Sequence, residues 1–335
     1  MRAWVVRQPA PIDAGPLAFV ERDEPRPGPG QVRVRVATCG VCRTDLHLAE
    51  GDLAPHGRDV VPGHEIVGVV DLAGPGTSRF RVGDRIGIAW LRRTCGDCRF
   101  CRRGDENLCV TPSFTGWDAD GGYAEFAVVD EHYVYPIPPS FSDEEAAPLL
   151  CAGIIGFRAL RRAALPPSGR LGIYGFGASA HLAAQVALAE GASVYVMTRA
   201  ERARRLAIDL GATWVGDTFD DPPHLLDAAI TFAPVGEIVP AALGALDRGG
   251  TPAIAGIHLS DIPVLSYAEH LFQERRVTSV TANTRRDGEE FLSIAAEIGI
   301  KVETTAYPLA VADTALAHLA HDEVTGAAVL RVATP

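Results

Sequence analysis

Two textures of apolar and polar positions divide the chain. Up to about residue 150, short apolar or alternating runs are broken by Gly and Pro, as in V-R-V-R-V-A (32–37), D-V-V-P-G-H-E-I-V-G-V-V (59–70) and F-R-V-G-D-R-I-G-I (80–88). A period of two sends successive side chains to opposite faces of a strand, and turns at this spacing predict an antiparallel, barrel-like domain. From about 152 the texture changes to strand runs alternating with alanine-rich helical stretches: R-L-G-I-Y-G (170–175), H-L-A-A-Q-V-A-L-A-E-G (181–191), S-V-Y-V-M-T (193–198) and E-R-A-R-R-L-A-I-D-L-G (201–211). Such alternation predicts a doubly wound parallel α/β sheet. No internal repeat or low-complexity stretch interrupts either region.

With 335 residues and 47% apolar positions, the chain can bury two cores. No apolar run approaches the roughly 20 residues that span a bilayer, and the opening M-R-A-W-V-V-R-Q-P reads as a strand rather than a signal peptide, so a cytoplasmic, membrane-free protein is expected. A net charge of −11 argues against a nucleic-acid partner, since phosphate binding needs an excess of cations. Lys301 is the only lysine. Chemistry that depends on a lysine, such as a P-loop or a pyridoxal-phosphate Schiff base, is therefore largely excluded.

Six of the seven cysteines fall into two groups. Cys95, Cys98, Cys101 and Cys109 form a compact C-x2-C-x2-C-x7-C run in a polar segment. Four thiolates from one short loop can close a tetrahedral Zn²⁺ shell with no position left for substrate, replacing the core that a loop this polar cannot build. An iron–sulfur cluster also takes four cysteines, whereas disulfides are disfavoured in an intracellular chain. The dispersed group is Cys42 in G-V-C-R-T-D-L-H, His64 with Glu65 in P-G-H-E-I-V-G, and Cys151 in L-L-C-A-G. Mixed ligands from separate elements suit a catalytic metal, because such a site can leave one coordination position open. Cys39 is the leftover thiol, assigned to strand packing.

A dinucleotide site is expected at Gly175-Phe-Gly177-Ala178-Ser179-Ala180, between the strand L-G-I-Y and the following helix. Gly175 permits the tight turn, Gly177 lets the backbone approach a pyrophosphate, and the small Ala180 allows close helix–strand packing. The next strand ends at Thr198-Arg199, where an NAD-selecting site usually carries an acidic residue. A hydroxyl and a guanidinium there favour NADP(H) over NAD(H), because a carboxylate would repel a 2′-phosphate. Arg204 and Arg205 fit the solvated face of the following helix equally well.

Together with G-G-Y-A-E-F-A-V-V and the tail Y-P-L-A-V-A-D-T-A-L-A-H-L, these motifs make the chain resemble the zinc-dependent alcohol dehydrogenases of the medium-chain dehydrogenase/reductase superfamily, over essentially its whole length. The resemblance implies a GroES-like catalytic domain of residues 1–151 and 284–335, with a structural zinc lobe at about 92–112, and a Rossmann domain of 152–283. It implies two Zn²⁺ per subunit, a small-molecule alcohol or aldehyde substrate, and a homo-oligomer, dimer or tetramer. For the latter, the apolar, β-rich I-P-V-L segment at 262–265 is a candidate edge.

Residue by residue, the resemblance gives Cys42, His64 and Cys151 to the catalytic zinc and makes Thr44 and His47 a proton relay. Asp45 would orient His64, and Glu65 would lie near the metal as a transient ligand. Arg285 matches an arginine near the cofactor phosphates, with Arg286 leaving the register uncertain. Trp90 is expected in the substrate pocket, with Phe114 and Trp117 approaching it; bulky aromatics there favour primary over branched secondary alcohols. One departure stands out: where many relatives carry a threonine four residues after the last cysteine ligand, this chain has Ile155. Other readings are a zinc-independent quinone or enoyl reductase of the superfamily and a non-catalytic, cofactor-binding redox sensor.

Overall fold

The computed structural model describes residues 1–332. The chain forms two compact units, one of residues 1–151, 282–296 and 302 onward, the other of 152–281 and 297–301.

The first unit is built on a seven-stranded sheet whose central member is the long strand Gln31–Val41. In order, the sheet runs Thr304–Pro308, Ala327–Arg331, Gln31–Val41, Ile66–Ala73, Arg85–Ile88 and Val134–Pro136, with Phe126–Asp130 also pairing with Gln31–Val41. Every pairing is antiparallel except the first, where Thr304–Pro308 and Ala327–Arg331 run parallel. Val32, Val34, Val36, Ile66, Val70, Ile86 and Ile88 are all buried in its core. The alternation in V-R-V-R-V is not a clean inside–outside pattern, because Arg33 is buried as well. Its guanidinium is neutralised by Asp71 and Glu24 and lies over the Phe126 ring, so burial leaves no unpaired charge.

The second unit holds six parallel strands in the spatial order Trp214–Gly216, Ser193–Met197, Arg170–Tyr174, Leu226–Thr231, Leu246–Ile254 and Thr278–Ser279. Numbered along the chain, this is 3-2-1-4-5-6, the order of a dinucleotide-binding sheet, whose switch point lies beside the first strand. The strand Arg170–Tyr174 therefore delivers the glycine loop to the place where such sheets take their ligand.

Two expectations need correction. Residues 262–265 form no strand: Pro263 interrupts the run, Val264 is 97% exposed, and the sheet edge is instead the short strand Thr278–Ser279. The return of the chain to the first unit is also interrupted, since 297–301 cluster with the second. Among the described residues no helix is long and apolar enough to cross a membrane.

Candidate active site and metal centres

The site in the first unit is organised by one buried carboxylate. Asp45 sits in the first turn of the helix Arg43–Glu50, where an acidic residue is favoured by the helix dipole and can cap the exposed amides. One of its oxygens accepts the Cys42 N–H at 2.9 Å and the Tyr123 hydroxyl at 3.3 Å. The other accepts the Gly63 N–H at 3.0 Å and His64 Nδ1 at 3.2 Å. Three segments remote in sequence are thus fixed to one side chain that is 2% exposed. With Nδ1 donating to Asp45, His64 turns Nε2 toward Cys151 Sγ, 3.3 Å away. This is the tautomer a metal-ligating histidine needs.

Cys151 lies in a π-helical turn, Leu149–Gly153. Such turns are rare and widen the helix by one residue, which re-aims the side chain they carry. Cys42, His64, Glu65 and Cys151 each offer a ligand atom, all within 4.8 Å of one another. Glu65 reaches the cluster because Gly40 leaves room for it: a Cβ on Gly40 would stand 1.9 Å from the Glu65 carboxylate. The four groups are electrostatically coupled through their closeness and burial. Cys42 is held well below the ordinary thiol range, chiefly by its bond with Cys151, which overcomes burial; Cys151 is pushed correspondingly up. Burial opposes a charge on His64, but Asp45 and Cys42 outweigh it and move the imidazole well above its usual value. Glu65 is raised by burial first and by Cys42 next. Two thiols, an imidazole and a carboxylate crowded together in this way could hold one divalent ion, and zinc takes this donor set.

Thr44 is buried beside Cys42, with Oγ1 3.6 Å from its sulfur. His47 lies three residues further along the same helix and hence on the same face. Trp90 stands edge-on to His64, ring centres 4.9 Å apart, and Phe114 and Trp117 stack with it at 4.9 and 6.0 Å. The three aromatics therefore make one nearly parallel wall that begins at His64. His56 continues it, stacked on Trp117 at 4.3 Å. Neither His56 nor Tyr123 is foreseen from sequence, although G-G-Y-A-E-F carries the tyrosine in plain view.

The four-cysteine lobe is equally explicit. Sγ–Sγ distances are 3.5 Å for Cys95–Cys109, 3.5 Å for Cys98–Cys101 and 3.9 Å for Cys95–Cys101. A disulfide requires about 2.05 Å. A tetrahedron with Zn–S bonds of about 2.3 Å has edges near 3.8 Å, so these spacings would fit a closed four-thiolate zinc shell. Backbone N–H groups of Cys95 and Thr111 point at Cys109 Sγ, and that of Cys98 at Cys95 Sγ, as thiolates require. Cys98 is drawn down to about 6, first by a backbone N–H at Cys101.

Arg285 has a carboxylate partner in the first unit. Its guanidinium grips both oxygens of Glu106 at 2.8 to 3.1 Å, its N–H donates to the same carboxylate at 2.6 Å, and it lies over the Tyr133 ring. The arginine is thus engaged by Glu106 of the cysteine lobe. Cys39 is fully buried in the strand Gln31–Val41, a packing position.

In the second unit, Gly175 has φ +84°, a left-handed conformation that favours glycine, and it turns the chain off the strand. Gly177 caps the helix Ala178–Ala189, and a Cβ on it would meet nothing within 4 Å, so a phosphate could approach the backbone there. Ala180 is buried. The loop is braced by His181, another residue sequence reasoning missed. Burial lowers its pKa to about 4, so the ring is neutral and Nδ1–H can donate to the Gly177 carbonyl at 3.3 Å. Thr198 is buried and Arg199 exposed. Arg204 is a clamp between strand ends, bonding the Thr198 carbonyl at 2.8 Å and Asp217 at 3.0 Å. Ile155 is half-buried.

Comparison with known proteins agrees with this arrangement. The profile of the alcohol dehydrogenase GroES-like domain matches residues 28–139, and that of the zinc-binding dehydrogenases matches 180–297. A protein of Mycobacterium tuberculosis named as the probable alcohol dehydrogenase AdhA is 58% identical over 99% of this chain and 97% of its own. This chain belongs to the zinc-binding alcohol dehydrogenases. An alcohol dehydrogenase of Geobacillus stearothermophilus is 35% identical over 99% of the chain and its whole length. Among solved structures, the dehydrogenase resembles that of Aeropyrum pernix with a TM-score of 0.87 at 29% identity, covering 99% of this chain and 100% of the other. It resembles a Helicobacter pylori enzyme described as complexed with NADP(H) with a TM-score of 0.88 at 25% identity, covering 99% of each. The dehydrogenase is accordingly an NAD(P)-dependent oxidoreductase of the medium-chain superfamily, acting between alcohols and carbonyl compounds.

Proposed function

We propose that this dehydrogenase interconverts primary alcohols and aldehydes with NADP(H), with one zinc held by Cys42, His64 and Cys151 and a second by Cys95, Cys98, Cys101 and Cys109. The observation that carries the reading is the convergence of Cys42, His64, Glu65 and Cys151, with Asp45 bonded behind the histidine. A zinc ion there supplies Lewis-acid chemistry, lowering the pKa of an alcohol and polarising a carbonyl, while the nicotinamide exchanges the hydride. Asp45 keeps His64 in its ligating tautomer, and Glu65 offers a transient ligand while the substrate position is exchanged. Thr44 Oγ1 takes the proton of the alcohol, and His47 delivers it toward solvent. The wall of Trp90, Phe114 and Trp117 excludes water and crowds a branched carbinol carbon.

The cofactor preference rests on Thr198 and the exposed Arg199. Zinc-loaded protein is expected to reduce aldehydes with a kcat/KM at least about tenfold higher for NADPH than for NADH, a difference of about 1.4 kcal/mol. Turnover should stop on chelation and return with zinc. Arg199→Asp should reverse the preference; unchanged discrimination in that variant would reduce Arg199 to a surface residue.

A matched panel of linear primary and branched secondary alcohols tests the substrate reading. Primary members should lead in kcat/KM by about tenfold, and Trp90→Ala should narrow the gap; secondary alcohols ahead of primary ones would sink the steric argument. We assign the protein to the cytoplasm, where its unbridged cysteines would stay reduced. We also infer a homo-oligomer through the exposed apolar residues Val264, Tyr267 and Phe272.

A further inference from the structure

The helix that carries Cys42, Thr44, Asp45 and His47 ends in a way that adds a residue to the proton path. Gly51 takes φ +93° and ψ +3°, a left-handed cap, and the His47 carbonyl accepts both the Gly51 and the Leu53 N–H at 3.0 Å. The chain is therefore folded back over its own last turn. Asp52, between those two donors, is carried onto the histidine, and its carboxylate lies 3.0 Å from His47 Nδ1. The His47 side chain is 19% exposed and that of Asp52 54%, so the pair spans the boundary between protein and water. Other ionisable groups on this helix and beside it have partners of their own. Arg43 pairs with Asp322, and Asp13 with His321, while the Glu50 carboxylate accepts the Ile12 N–H.

We propose that Asp52 is the positioning residue for proton transfer through His47, an inference that rests on the relay reading above. A neutral imidazole has one N–H and one lone pair, and which nitrogen carries the hydrogen is set by the bond the other atom makes. Asp52 accepts only, so it holds the hydrogen on Nδ1 and makes Nε2 the basic atom. When a proton arrives at Nε2 the ring has hydrogens on both nitrogens, with Nδ1–H still held by the Asp52 carboxylate, and one proton then leaves to bulk water. No electron moves in this step, since the hydride travels separately to the nicotinamide.

The tautomer can be read directly. In zinc-loaded enzyme with ¹⁵N-labelled histidine, His47 is expected to show the Nδ1–H signature, and Asp52→Ala should convert it toward the Nε2–H form. Proton release in a single turnover of alcohol oxidation, followed with a pH indicator in stopped flow, should slow about tenfold in Asp52→Ala. The effect is smaller than for a buried orienting carboxylate because Asp52 is half in water. Asp52→Glu should restore most of the rate. Slowed release with an unchanged tautomer, or wild-type release in Asp52→Ala, would overturn the proposal. His47→Gln separates it from the reading beneath it: if that variant releases protons at the wild-type rate, the relay itself is wrong, whereas slow release in His47→Gln beside normal release in Asp52→Ala rejects only the role of Asp52.

Discussion

Replacing His64 by alanine is expected to lower alcohol oxidation by about four orders of magnitude and to reduce the zinc content from two ions per chain to one. Lewis-acid stabilisation at a metal is worth several kcal/mol, and each 1.36 kcal/mol is a factor of ten in rate. The substitution removes a ligand and also withdraws one of the four donors that satisfy Asp45, leaving a carboxylate that is 2% exposed with only Cys42 N–H, Gly63 N–H and the Tyr123 hydroxyl. Some destabilisation should accompany the loss, about 1–3 kcal/mol, because an under-satisfied buried group bears its desolvation cost. Metal analysis with rates at saturating cofactor distinguishes the possibilities. A variant that keeps two zincs would show that Cys42, Glu65 and Cys151 suffice to hold the ion. A variant that loses one zinc yet turns over normally would point to the zinc-independent reductase reading.

What the sequence disclosed and what it concealed follow the reach of each interaction. The clustering of the four lobe cysteines was legible because they lie within fifteen residues and their spacing nearly dictates the geometry. The dispersed ligands were legible through their short neighbourhoods, C-R-T-D-L-H and P-G-H-E, with the resemblance supplying their grouping. Strand–helix alternation predicted a parallel sheet, but its 3-2-1-4-5-6 order depends on crossovers that no local pattern records. Tyr123 was missed because its hydroxyl acts on Asp45, 78 residues away. His181 was missed because its bond to Gly177 needs the helix that carries it. Arg285 shows the opposite case: a local register suggested a phosphate contact, while the partner it has in the fold, Glu106, lies 179 residues back, beyond any local pattern. The I-P-V-L segment misled because β propensity was weighed without its proline.

That arginine and the cysteine lobe lead to the second large effect. The lobe has little apolar interior of its own, with Leu108 39% and Val110 65% exposed, so on the proposed two-zinc reading its order should depend on the metal and on Glu106 held by Arg285. Cys98→Ser is therefore expected to remove one zinc and lower the thermal midpoint by about 10 °C, while activity at low temperature persists. Arg285→Ala should lower it by about 5 °C, since the mostly buried Glu106 carboxylate then loses its bidentate partner. Because both changes release the same lobe, their effects should fall well short of additive in the double variant. Calorimetry of the four proteins, with cofactor affinity measured alongside, decides between the two roles considered for the arginine. A phosphate-binding Arg285 would weaken cofactor binding on substitution and leave the thermal midpoint nearly unmoved. A lobe anchor does the reverse, and full additivity with Cys98→Ser would show that Arg285 stabilises the first unit by a route independent of the lobe.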